Sequence, residues 1–228
     1  DVRALRVEVV FELQVLPVEP GLLVADLAHD LADRGLDFLE RTGRGDEAVK
    51  IYSAFLEGDS NPLVAEALAN AKAGKKPQPF IATPGAGAAE AMFSLGTSMT
   101  DEQSIDVALL YTQLALSFNA DRPVVLTLLG DIYEDMKLPQ KALDAYSKIP
   151  ETSALRANSD MEIAINLQRL ERKDDAQARL NGLISREPGN YDAIVTLGNL
   201  YRNNEDYANA AKTYDKAIAL ITTTEPGH

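Results

Sequence analysis

The groups able to do chemistry are few and scattered. His29 stands beside Asp30 and Asp33, but no second histidine follows at helical spacing, and His228 is terminal. Zinc asks for a His-x3-His pair or thiolates, and the chain has no cysteine. His29 therefore reads as a surface histidine among acids. Asp131, Glu134 and Asp135 fall at i, i+3 and i+4, which puts three carboxylates on one helical face. Paired carboxylates can do acid–base work; on an acidic helix they also form solvated surface or attract cations. Thr83-Pro84-Gly85-Ala86-Gly87-Ala88 has the glycines of a phosphate loop. It lacks the Lys-Ser/Thr of a P-loop and the strand–turn–helix setting of a dinucleotide fold, and reads as a linker leading into a helix. No serine sits in Gly-x-Ser-x-Gly. No catalytic set emerges, and neither a metal nor a cofactor is implied.

Composition narrows the partners. The 22 basic against 35 acidic residues of the 228 give a formal charge of −13. A phosphate backbone needs a basic face, so nucleic acid is disfavoured, as are anionic membrane surfaces. Without cysteine there are no disulfides, thiolate metal sites or cysteine nucleophiles. No apolar run is long enough to cross a bilayer. The compartment stays open, cytoplasm and periplasm alike. The chain begins at Asp1 rather than Met, which reads as a processed form or an excised fragment.

What must position any functional side chain is a periodic array of helices. In Tyr191 to Thr224 the key places are Ile194, Leu197, Gly198, Tyr201, Ala210, Tyr214 and Ala217. One step of 34 residues back, Gly198 maps to Ala164, Ala210 to Ala176, Tyr214 to Leu180 and Thr222 to Pro188. A second step gives Leu129, Gly130, Tyr133, Ala142 and Tyr146, and a third Met92, Leu95, Gly96, Ala108, Thr112 and Ala115. Two antiparallel helices approach closely only where a side chain is absent or a methyl, and each hairpin leaves an apolar face for the next to bury.

This ladder resembles the tetratricopeptide repeat (TPR). The resemblance implies an all-α, right-handed solenoid of antiparallel helix pairs. Four regular repeats are expected over 89–122, 123–156, 157–190 and 191–224. Upstream, 22–62 reads as a degenerate repeat, with Ala48 and Tyr52 on its second helix and Leu36 where a small residue belongs. Residues 62–88 read as a half-repeat: a helix capped by Asn61-Pro62 and a Pro/Gly linker. Phe80 and Ile81 in that linker either plug the place of a missing helix or form an exposed patch. Residues 1–21 are ambiguous, since 1–16 fits helix and strand spacing alike before the break at Pro17. The stretch from Leu22 onward also resembles segments of long bacterial TPR proteins.

The family's first helices line a concave groove that docks peptides or partner helices. Matched by repeat position, the resemblance implies a groove holding Phe93, Thr97, Thr100, Asp101, Thr127, Asp131, Glu134, Asp135, Asn158, Met161, Ile165, Arg169, Asn199 and Arg202. Some TPR domains clamp a C-terminal carboxylate with Lys, Asn and Arg there. This chain departs from that clamp, for Asp131 occupies the place of Asn199 one repeat pair earlier and no lysine is present. The expected function is a non-enzymatic scaffold for a protein or peptide, its ligand a basic or amphipathic segment. The alternative is a structural spacer or self-association module. Tyr214, Ile218 and Ile221 on the last helix suggest a homo-oligomer formed through exposed solenoid ends.

Overall fold

The computed structural model describes residues 43–57, 61–75, 81–99, 103–119 and 122–224. The expectations for 1–16, 22–41, His29, Phe80, Thr100 and Asp101 lie outside them. All regular structure among the described residues is helical, in ten helices. The chain divides into two compact units, residues 1–82 and 83–228.

In the first unit, α1 (Gly45–Leu56) packs on α2 (Pro62–Lys72). Ala48, Tyr52 and Val64 form the buried centre, flanked by Phe55 and Leu68. Asn61 sets the start of α2: its side-chain oxygen accepts from the Leu63 N–H at 3.0 Å and the Val64 N–H at 3.2 Å. Pro62 follows at the first helical position, where no amide hydrogen is needed.

The second unit is a run of hairpins. These are α3 (Pro84–Thr97) with α4 (Ile105–Phe118), α5 (Pro123–Asp135) with α6 (Pro139–Tyr146), α7 (Arg156–Arg169) with α8 (Lys173–Arg186), and α9 (Tyr191–Asn203) with α10 (Tyr207–Thr224). Each hairpin also packs on the next, through α4 on α5, α6 on α7 and α8 on α9. Helix α3 starts at Pro84, capped by the Thr83 hydroxyl accepting from the Ala86 N–H at 3.1 Å. Gly85 and Gly87 of the Pro/Gly stretch thus lie inside the helix.

Close approach within hairpins falls where the 34-residue ladder has glycine. A Cβ on Gly130 would stand 2.3 Å from the Tyr146 ring, and one on Gly198 2.5 Å from the Tyr214 ring. At Gly96 the neighbour is smaller, the Thr112 hydroxyl at 2.9 Å. In each of two hairpins a tyrosine ring closes on the glycine backbone, which is why glycine and tyrosine recur sixteen residues apart. Tyr214 is half-buried by this contact, while Ile218 and Ile221 are exposed.

The turns inside the hairpins repeat at the same interval. Lys137, Glu171 and Glu205 adopt φ of 61°, 59° and 63°. At each, the helix closes with two reversed bonds: Lys137 N–H to the Glu134 carbonyl and Leu138 N–H to Tyr133, then Glu171 to Gln168 and Arg172 to Leu167, then Glu205 to Arg202 and Asp206 to Tyr201. This left-handed closure satisfies carbonyls that the helix end leaves open.

Candidate functional site

Asp131, Glu134 and Asp135 project from the C-terminal half of α5, beside the C-terminal half of α7. The hydroxyl of buried Tyr146, held by its ring on Gly130, donates to Asp131 Oδ1 at 2.6 Å. Glu134 accepts from the Asn166 amide and pairs with Arg169 at 2.9 Å. Glu162, one turn before Asn166 on α7, completes the cluster without having been singled out from sequence. Burial pushes the Asp131 carboxyl up to about 6, with the like charges of Glu134 and Asp135 adding and the Tyr146 hydrogen bond opposing. Burial likewise raises Glu162 to about 7, aided by Glu134 and Asp131 and opposed by Arg169. Burial and the Asp131 charge raise the Tyr146 phenol, which stays a neutral donor.

Both carboxyls hold protons more tightly folded than unfolded. Their ionisation therefore opposes folding: the penalty is absent below about pH 4, grows as pH rises through 6 to 7, and is complete above. The double substitution Asp131→Asn, Glu162→Gln is expected to raise the melting temperature more at pH 8 than at pH 5.5. An increment equal at the two pH values would show that the two groups titrate normally.

The other groove candidates differ in what they present. Phe93 is buried, with the Arg122 guanidinium 5.6 Å above its ring, and Arg122 also pairs with buried Glu90. Thr97 and Thr127 are half-buried and return their hydroxyls to the carbonyls of Ser94 and Pro123. Met161 and Ile165 are half-buried apolar residues on α7, and the Thr196 hydroxyl lies 3.9 Å from the Met161 sulfur. Asn158, Arg169 and Arg202 are exposed. Asn199 accepts from the Tyr214 hydroxyl at 2.8 Å, repeating the Asp131–Tyr146 bond 68 residues on with a neutral acceptor. The structure thus brings Asp131, Glu134 and Arg169 together, while Asn199 belongs to an equivalent pair elsewhere in the array.

A second cluster was missed altogether. Asp160 on α7 is fully buried. Arg156 Nε and Arg179 Nη2 each lie 2.9 Å from its Oδ1, and Arg186 pairs with its Oδ2. Arg156 also donates to the Ile149 carbonyl at 2.6 Å. In the 34-residue ladder Asp160 falls on the place of Leu126 and Ile194, both core residues. A charge on an apolar rung was the signal available. With three guanidiniums closing over it, the carboxylate fastens α7 to α8.

The arrangement is that of an all-α solenoid built from helix hairpins. Residues 161–222 match the family model described as tetratricopeptide repeat, and no curated protein matches the chain in sequence. Among solved structures, a crystal structure of MamA protein is similar at 17% identity and a TM-score of 0.53, over 90% of this chain and 98% of that one. MamA 41-end from Desulfovibrio magneticus RS-1 is similar at 13% identity and a TM-score of 0.52, over 89% and 97%. At such identities the likeness concerns the fold. Residues 161–222 carry the tetratricopeptide repeat match, and the fold of the hairpin array is the all-α solenoid of such repeats.

Proposed function

We propose that the chain binds a basic or amphipathic peptide segment along the first helices of its hairpins, with the positive end of the segment at Asp131, Glu134, Asp135 and Glu162. The carrying observation is the crowding of these four carboxylates against one another, with Arg169 as the cation paired into the cluster. A lysine or arginine from a ligand would relieve repulsion that the free protein sustains. Half-buried Met161 and Ile165 on α7 offer apolar contact beside the charges, and methionine suits a surface that adapts to its ligand. The same reading gives the segment no chemistry to undergo.

The test uses a labelled, lysine-rich amphipathic peptide and its glutamate-substituted counterpart, followed by fluorescence anisotropy. Binding of the lysine peptide is expected to weaken between low salt and about 0.5 M, where screening shortens to a few ångströms. It should also weaken on acidification from pH 8 to pH 5.5, as the ligand competes with protons for the cluster. Asp131→Asn with Glu134→Gln should weaken it at least tenfold with unchanged helicity. Affinity indifferent to salt and to this double substitution would mean the acidic face is only solvated surface.

A further inference from the structure

One helix face departs from the pattern of its siblings. On α4, Val107, Leu110, Leu114 and Phe118 share one side at i, i+3, i+7 and i+11, and they are 40%, 55%, 37% and 52% exposed. A step of 34 residues replaces the first three by Lys141, Asp144 and Lys148, and a step of 102 by Asn209, Lys212 and Lys216, all exposed. The hairpin fold therefore does not need apolar residues at these places; elsewhere the same chain puts charge there. Four large apolar side chains in one stripe amount to on the order of a few hundred Å², the size at which a surface patch on a monomer is often functional.

The charge around the stripe selects its occupant. Helices α3 and α4 together carry two residues charged at neutral pH, Glu90 and Asp106, and Glu90 is buried against Arg122. A chain of net charge −13 repels its own copies over most approaches. In a twofold contact a patch meets itself, so every charge on it meets its twin. The face of α4 brings Asp106 as its one exposed carboxylate and no cation that would pick out an acidic foreign partner. We infer that α4 is a self-association surface, on which a second copy of this chain lays its own α4 antiparallel across Leu110 and Leu114. The stripe is smaller than the roughly 800 Å² per partner of a stable interface, so the dimer is weak and reversible.

Sedimentation velocity on the 228-residue chain, from about 1 to 200 µM, reads the outcome. A monomer–dimer equilibrium of micromolar strength is expected. Leu110→Asp should weaken it at least tenfold, and Phe118→Arg should do the same. Both changes install residue types that the chain already carries at the stepped positions Asp144 and Arg186, and circular dichroism should stay unchanged. A chain that remains monomeric throughout, or one whose association ignores both substitutions, would overturn the assignment.

Discussion

Replacing Asp160 by leucine is expected to destabilise the second unit by about 3–5 kcal/mol, although leucine is the residue one ladder step earlier at Leu126. The substitution leaves Arg156, Arg179 and Arg186 converging on a place with no anion. Arg156 is the most enclosed of the three, with its side chain 12% exposed. At about 2–4 °C per kcal/mol for a unit of this size, the melting temperature should fall by roughly 10 °C. The informative comparison is Asp160→Leu with Arg179→Ala. Position 179 corresponds to buried Ala145 in the preceding hairpin. Converting the buried ion pair to the apolar pair used there should recover much of the loss, because a buried pair replaced whole is often close to neutral. Two losses that simply add would mean that Asp160 acts without Arg179.

A similar pairing governs the hairpin α5–α6. Tyr146→Ala should cost about 3–5 kcal/mol, since the ring is 1% exposed and leaves a large cavity. Gly130→Ala gains helix propensity of about 1 kcal/mol, but its methyl would enter the Tyr146 ring, so overpacking of about 1–3 kcal/mol should outweigh the gain. Together the two changes should cost clearly less than their sum, because the cavity left by one receives the methyl of the other. Urea denaturation of the two single variants and the double variant measures this coupling. Gly96→Ala, whose methyl would press on the Thr112 hydroxyl and meet the Ala108 carbonyl and Leu128 side chain at ordinary contact distance, should be milder than Gly130→Ala. Strict additivity at Gly130 and Tyr146 would deny that the two are in contact.

Much of the second unit was readable because repetition turns weak local signals into strong ones. Gly198 and Tyr214 are unremarkable alone; with Gly130 and Tyr146 they announce a contact, and the ring-on-backbone geometry bears that out. The Asn61-Pro62 cap was readable from local chemistry. The start of α3 was harder, since glycine and proline at Pro84 to Gly87 argue for a break, whereas Thr83 supplies a cap and Pro84 suits the first turn. The acidic cluster was half legible. Spacing on one helix gave Asp131, Glu134 and Asp135, but Glu162, Asn166 and Arg169 come from the next hairpin and have no local signature. Phe93 shows the limit of assigning roles by repeat position, for it lies buried beneath Arg122 and offers its ring to the core. The Asp160 cluster has one local sign, a carboxylate on the rung that Leu126 and Ile194 hold, while Arg179 and Arg186 come from the next helix and carry no signature on α7.

The left-handed turns have a bearing on how much damage the array can absorb. Gly43 and Gly74 take φ of 81° and 65° with no side chain to strain. Lys137, Glu171 and Glu205 hold the same handedness without that freedom, at about 1–2 kcal/mol of strain each. Their side chains return part of it by narrowing the unfolded chain, by roughly 0.5–1 kcal/mol relative to glycine. All three are exposed, remote in role from the Asp160 network and from the α4 stripe. Each is thus a place where stability can be adjusted without entering the core, since their side chains are exposed. A lineage acquiring glycine at one of them would gain a margin in which otherwise ruinous changes in the groove could survive long enough to be selected.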